Sequence, residues 1–584
     1  MKAGKLFQAI LTCATVGAGL IIPASATADT FTVTSFGDSG PGTLRQAVLD
    51  ANAHPGHDRI DFAPDVSQAG TGSDPLEITS DLEIDGPGSD NLRVGFGRGF
   101  LITSGGQATI SGMTISHSSV HNGAGGAVRN QGTLTLDGVL MEMNDAIADP
   151  GSQASGGAIA NTGTLTLKNS TLTRNFATGN GGGSDVAGGG ITNSGTMTLD
   201  HARLINNIAH AGDTTAGGGI GAEAKGGGIF NTGDLTLVDS TLSQNIAIGG
   251  AARDEGGPAL GGAIYNSGSG ALKVRRSTLG ENLAGGGAGN VAGLAIGGAI
   301  ENTDPATFAI ENSTITANSA TAGSGTHQDG QSIGGGIDNQ STFPHPSTVL
   351  SATISSNGAF RGSNISNTFS SLSLQNTIVA NPRTPAGGPA ENCGHPSSFP
   401  SAIKSLGYNI DSGSTCELNK GGDRSNTDPQ LKTLADNGGP TQTMAIPLSS
   451  PALDQGVSGG LTTDQRGDKR PVIVPGVPRP QGGDGSDIGA YEYQPGPAGH
   501  SRIKGAVKPG RTHARERTCF KFKAKHATGG PIKNAQVKMG GKRARTDERG
   551  KATICKKFKH AGVRHPRIRK RGHERAKLDV RVRP

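Results

Sequence analysis

The chain has 584 residues, 96 of them glycine and none tryptophan, with hydrophobic residues at 33% and aromatic residues at 3%. Such a composition would suggest disorder if it were aperiodic, but the glycines recur at fixed repeat positions and in spacers, and the length points to two or three domains. The net charge of +6 conceals a division: residues 502–584 hold 28 Lys/Arg against 5 Asp/Glu, a net of +23, and the remainder carries −17.

Residues 1–28 read as a secretory signal. Lys2 and Lys5 precede the apolar stretch 6–22, and Ala26-Thr27-Ala28 offers a small-residue cleavage site before Asp29. Cys13 follows Thr12 rather than the small residue of a lipoprotein site. No later run is apolar and long enough to span a membrane, so the expected location is secreted, extracellular or cell-surface, with cleavage near Ala28. Residues 29–75 form an N-terminal capping segment. In it Thr43 and Gln46 have capping-box spacing, and Leu44, Val48 and Ala51 share one helical face. The stretch 31–64, and Thr43-Leu44-Arg45-Gln46-Ala47-Val48 above all, resembles the N-terminal segment of secreted β-helix proteins with a CSLREA-type motif. A short helix there would cover the open end of a solenoid. Asp81, Glu83 and Asp85 then fall on one strand face. They read either as a Ca²⁺ site or carboxylate pair, or as an outward solvated face opposite Leu82 and Ile84.

Residues 76–385 carry a repeat, clearest at 156–175 as GGAIANTGTLTLKNSTLTRN. Related copies begin at Gly125, Gly188, Gly226, Gly261, Gly297, Gly334 and Gly362. The cores hold nearly constant length while Gly/Ala-rich spacers vary, the signature of a solenoid. Leu165-Thr166-Leu167 and its equivalents alternate with period two, which predicts strands with one face inward. Two asparagine columns set the register. One is Asn130, Asn161, Asn193, Asn231, Asn266, Asn302, Asn339 and Asn367; the other is Asn144, Asn175, Asn207, Asn245, Asn282, Asn318 and Asn357. Asparagine tolerates left-handed corners, and stacked amides can hydrogen-bond along a stack. A sugar-binding stripe is the functional alternative. The pattern resembles the GGAI/FxxN repeats of polymorphic outer-membrane proteins and, more broadly, the pectin-lyase-like superfamily. This resemblance implies a right-handed parallel β-helix, although the second half here spells TLxxN or TIxxN.

Two short matches to polygalacturonase motifs, Asn302-Thr303-Asp304 and Arg502-Ile503-Lys504, fail on spacing, because Asn302 occupies a ladder slot and no GHG lies between them. Gly181-Gly182-Gly183-Ser184-Asp185 misses the Ca²⁺-binding nonapeptide. From Asn392 to Glu492 a string of short motifs, including Asn409, Asp454, Asp464-Gln465-Arg466-Gly467, Arg470-Pro471 and Asp487-Ile488-Gly489-Ala490-Tyr491-Glu492, closely resembles the choice-of-anchor Q domain. That resemblance makes 386–495 a segment that closes the rod ahead of an attachment module. Arg466-Gly467-Asp468 belongs to this string rather than to an integrin ligand.

Residues 496–501 read as a linker, and 502–584 as short alternating strands. Gly530-Pro531-Ile532 with Thr546-Asp547 resembles carboxypeptidase-regulatory-like or bacterial Ig-like β-sandwiches. With Cys13 removed, Cys393, Cys416, Cys519 and Cys555 remain, two in each C-terminal module, which predicts the pairs Cys393–Cys416 and Cys519–Cys555. Arg567, Arg569, Lys570 and Arg571 form the densest basic run and are the candidate anion-binding residues. The expectation is an all-β, non-enzymatic stalk or adhesin-like protein whose basic domain binds an anionic envelope polymer or glycan, or else folds back on the acidic rod. No catalytic, metal or cofactor residues are assigned, and the oligomeric state is left open. The alternative is a polysaccharide lyase or glycoside hydrolase, which needs convergent carboxylates or Ca²⁺ ligands on one strand face. The outward repeat slots are instead mostly Thr, Ser and Asn. Nucleic-acid binding would need an aromatic platform, and Phe520, Phe522 and Phe558 have core spacing.

Overall fold

The computed structural model describes residues 28–214, 219–303, 305–328, 330–340, 347–368, 371–383, 391–394, 403–494, 503–526, 531–570 and 576–583. The leader at 1–27, the linker at 496–501 and Arg571 lie outside the described residues.

Each repeat supplies three short strands, as in Ile159–Asn161, Thr164–Lys168 and Thr171–Thr173. Each strand pairs in parallel with its counterpart one coil away. We call the resulting sheets I, II and III in that order. Among the described residues they contain 11, 13 and 12 strands. Sheet II already includes Thr30–Val33, and sheet III ends at Ile410–Asp411, so the stack extends beyond 76–385 on both sides. At about 4.8 Å per coil the parallel β-solenoid is roughly 60 Å long. The period-two alternation faces inward as predicted. Leu134, Leu165, Met197, Leu235 and Leu272 stack in register, as do Leu136, Leu167, Leu199, Leu237 and Val274, and all are buried.

Both asparagine columns are continuous. In the first, each side-chain amide donates to the next Oδ1 at 2.6–2.8 Å from Asn130 to Asn367. The second runs from Asn144 to Asn357 at 2.8–3.0 Å. It then continues through Asn364 and Asn392 to the carboxylate of Asp411. The ladder residues are not the corner residues expected from the sequence. The left-handed position of the second column belongs to the residue before each asparagine: Met143, Arg174, Asn206, Gln244, Glu281, Ala317 and Ser356. The asparagine itself points inward, because its amide must meet the next coil.

The spacers, read as insertions, form two further long sheets and a two-stranded one of Gly289–Val291 with Gly325–Gln328. Phe176–Gly179 and its equivalents make the seven-stranded sheet IV, and Asp185–Ala187 and its equivalents make the six-stranded sheet V. Their shared core is almost wholly alanine: Ala177, Ala209, Ala247, Ala284 and Ala320 from IV, with Ala224, Ala259 and Ala295 from V. The two sheets lie so close that a methyl group fills the gap. The doubled glycine opening each repeat turns from sheet V to sheet I. Gly188 has φ +62°, and a Cβ on Gly189 would sit 2.3 Å from the Ile208 carbonyl carbon.

The helix Leu44–Ala53 lays Leu44, Ala47, Val48 and Ala51 on the end of the rod core. Thr43 Oγ1 accepts the Gln46 N–H at 3.3 Å, but the Gln46 side chain turns to Asp50 at 2.8 Å, so only half of the capping box forms. Asp81, Glu83 and Asp85 do face outward, where His57 pairs with Asp81 at 2.8 Å and Arg59 bridges Glu83 and Asp85. The row is an ion-pair ladder.

The closing segment runs along the flank of the rod, on the outer face of sheet III. The Gln465 amide donates to Ser277 O at 3.2 Å and Thr278 Oγ1 at 2.9 Å, and its carbonyl accepts from Thr314 Oγ1 at 2.6 Å. The Arg470 guanidinium, fully buried, donates to Glu492 Oε2 at 2.9 Å, Gly489 O at 2.7 Å and Asn312 Oδ1 at 3.0 Å. Arg466 lies on the Tyr491 ring at 3.8 Å and pairs with Asp464 at 2.7 Å, so the arginine of this RGD is folded inward. Burial, then repulsion from Glu492, pushes Asp487 up to about 8. The disulfides are Cys393–Cys416 and Cys519–Cys555, as counted from the sequence. On a chain-entropy account each is worth about 3–4 kcal/mol.

Leu167→Asp buries an unpaired charge between coils and should cost more than about 4 kcal/mol. Lys168→Ala, one residue on and exposed, should stay within about 1 kcal/mol. Soluble yield and thermal melting separate the two, and equal effects would contradict the inward face. Arg470→Met should loosen the closing segment by about 3–5 kcal/mol, since it strands the Glu492 carboxylate. Limited proteolysis should then cut between 412 and 494 before the rod itself.

Candidate functional site

The C-terminal domain is built by the same alternation in antiparallel form. Ile503–Lys508, Arg517–His526 and Lys551–Lys557 make one sheet. Lys542–Arg545, Gln536–Met539, Arg567–Arg569 and Ala576–Lys577 make a second, in that spatial order. A third joins Arg511–His513, Val580–Arg583 and Gly562–Arg564. Phe520, Phe522, Val537, Met539, Ile568, Val580 and Val582 form the core between them. Phe520 and Phe558 meet edge-to-face at 6.0 Å, so these rings are core residues as their spacing implied.

With every second residue apolar and inward, the cations are left on the outer faces. On the four-stranded sheet, Arg543 stands opposite Lys538, Lys538 opposite Arg567, and Arg567 opposite Lys577. All four are exposed. The row crosses the sheet in three steps of about 4.8 Å, roughly 14 Å in all. Arg545 and Arg569 flank Gln536 in the next row. On the three-stranded sheet Lys508 faces Lys521, and Lys523 faces Lys551. Like charges directly opposite across strands are destabilising. The described acids of the domain are used elsewhere: Glu548 on Lys533, Asp579 on His565, Glu516 near His513, and Asp547 on the backbone of its own turn. Among the described residues, no carboxylate pairs with Arg543, Lys538, Arg567 or Lys577. Thus Arg567 and Arg569 do belong to a common cationic face, Lys570 adjoins it half-buried, and Arg571 lies outside the described residues. The remaining members, Lys538, Arg543 and Lys577, are 5 to 39 residues apart in sequence, and strand pairing brings them together. Lys504, at another edge, ion-pairs with Asp436 of the closing segment.

Along the rod, the outward column of sheet I departs from the expected Thr, Ser and Asn. The residue before each first-column asparagine reads Arg129, Ala160, Thr192, Phe230, Tyr265, Glu301, Asp338 and Ser366. It forms the floor of a concave corner with sheet V, a groove of ≈520 Å³ around Arg129, Thr192, Lys225 and Phe230. Phe230 and Tyr265 stack at 5.6 Å and 9°, and the Lys225 ammonium lies 5.5 Å from the Tyr265 ring. Glu301 and Asp338 beyond them are enclosed, 2% and 0% exposed, and so are closed to a polymer lying in the groove. In the sequence the signal is the variable letter of GGxIxN, masked by the constant letters that define the repeat.

Asp200, His201 and Asp239 also converge, but Arg276 already occupies both Asp239 oxygens at 2.9 and 2.8 Å. Of the polygalacturonase-like triplets, Asn302 is a ladder residue and Ile503 is core, while Asp304 and Arg502 lie outside the described residues. No helix among the described residues is long and apolar enough to cross a membrane. Comparison of the chain with protein-family models and with curated proteins finds no match.

The opposed cations make the C-terminal domain salt-sensitive. Raising ionic strength from about 0.01 to 0.15 M shortens the Debye length from about 30 to 8 Å. Melting of this domain should therefore move upward with salt, as followed by hydrogen exchange of the amides in 536–545. A downward shift would mean that net attraction, rather than repulsion, governs the face.

Proposed function

We propose that the protein is a non-enzymatic, extracellular or cell-surface structural protein, a rigid β-solenoid stalk held to an anionic envelope polymer by its basic C-terminal domain. The observation that carries this reading is the in-register row Arg543, Lys538, Arg567 and Lys577. A surface needing only solubility would intersperse acids with these cations, and would not set four of them face to face. A polyanion with closely spaced phosphates or carboxylates would relieve the repulsion and release counterions. Two disulfides accord with an oxidising compartment.

The test is binding of the full chain to teichoic-acid-type and acidic-glycan fractions across a salt series. Each cation near an anionic surface is worth roughly 1 kcal/mol. Replacing Lys538, Arg543 and Arg567 together by Gln should therefore weaken low-salt binding on the order of 100-fold and flatten the salt slope. Replacing the exposed Arg549, Lys557 and Lys559 removes the same charge away from the row and should cost far less. Equal losses would reduce the effect to net charge and defeat the assignment of the row.

A further inference from the structure

Ten buried side-chain oxygen atoms among the described residues lack a hydrogen-bond partner, and four of them belong to three consecutive members of one column: Glu301 Oε2, both oxygens of Asp338, and Ser366 Oγ. The other six come from six different residues elsewhere. Glu301, Asp338 and Ser366 are Cα partners on successive parallel strands, so their side chains lie side by side about 4.8 Å apart. All three are buried, at 2%, 0% and 1% exposure. Ser366, Gln340 and Glu301 are close enough to act on the Asp338 carboxyl, yet none meets it in hydrogen-bond geometry. Burial and the neighbouring Asp338 drive Glu301 well above the carboxylate range, and burial drives Asp338 upward. Among the described residues no cation pairs with either acid, and an unpaired buried carboxylate is costly. Elsewhere in the rod such columns are closed by mutual hydrogen bonds, as in the asparagine ladders.

We propose that Glu301 and Asp338, with Ser366 Oγ and the Gln340 side-chain carbonyl, hold a divalent cation inside the rod, and that the ion is Ca²⁺. Two carboxylates balance its charge. Carboxylate, hydroxyl and amide oxygens are the hard donors that Ca²⁺ takes, and no imidazole or thiolate is offered to a softer metal. Ca²⁺ also accepts an irregular set of oxygens, whereas Mg²⁺ demands a near-octahedral one that a flat ladder of side chains does not supply. The ion would link three adjacent coils where the acids would otherwise repel. This site is independent of the cationic face of the C-terminal domain.

The composition provides a probe. The chain has no tryptophan and 4 tyrosines, and Tyr265 is the in-register neighbour of Glu301. In the chelator-stripped full chain, Tb³⁺ should give saturable luminescence on tyrosine excitation, displaced by Ca²⁺ and poorly by Mg²⁺. Tyr265→Phe should remove most of that signal while leaving the upward melting shift with Ca²⁺ intact. Glu301→Gln with Asp338→Asn should abolish the Ca²⁺ response and leave the stripped protein at least as stable as stripped wild type. If the double variant does not fold, the Tyr265→Phe comparison decides alone. Melting unaffected by Ca²⁺ would mean that protons hold the pair, and would overturn the proposal. Luminescence that survives Tyr265→Phe would place the ion elsewhere and overturn it equally.

Discussion

A primary amide enclosed in a protein has two N–H donors and a carbonyl to satisfy, and each loss costs about 1–3 kcal/mol. Within both asparagine columns the rod meets this by translation alone; Asn130, which opens the first column, keeps an unpartnered Oδ1. In the second column, the Asn175 amide donates to Asn207 Oδ1 at 2.9 Å and to the Met141 carbonyl at 3.2 Å, while its own Oδ1 receives Asn144 from both side chain and backbone. Each asparagine is thus completed by the coils on either side of it. The requirement is strict because the same residue must recur at the same height in every coil. It forces equal core lengths, parallel register and inward leucines, and confines variation to the spacers.

Because register is held there, the rest of the coil can narrow. Sheets IV and V approach until only alanine fits between them, and glycine pairs make the turn where backbone meets backbone. The same stacking turns any outward position into a column. Some such columns are rows of threonine, as at Thr135, Thr166, Thr198 and Thr236, but the one preceding the first asparagine gathers an aromatic stack and then two acids. A residue unremarkable in one coil acquires chemistry from its neighbours one step along. The flank of sheet III is covered differently, by a segment whose buried Arg466, Arg470, Asp464 and Glu492 bind one another and the rod. Such a network resists partial release, since withdrawing one charge strands another.

The C-terminal domain applies period two to the opposite end. Its inward residues build one compact core, and the described members of its 28 basic residues are left to crowd the outside. Strand pairing, not sequence proximity, arranges them in rows.

Much of this was legible in the chain before folding: the solenoid, the direction of the alternation, the two amide columns, the capping helix and both disulfide pairs. Each is written in residues whose spacing is itself the physical constraint, a fixed step of one coil or a count of four cysteines. What tertiary structure alone decided are the facts that depend on lateral neighbours. The spacers became sheets because small residues allow close approach, which composition shows only as Gly/Ala richness. The left-handed corners fell to residues beside the asparagines, since an inward amide and an outward turn cannot share a position. Lys538, Arg543, Arg567 and Lys577 became one row through antiparallel pairing whose partners are set by loop geometry. Glu301, Asp338 and Ser366 became neighbours through a translation of 28 to 37 residues along the chain. Sequence spacing determines what repeats; only the packed coils determine which unrepeated side chains are made to face one another.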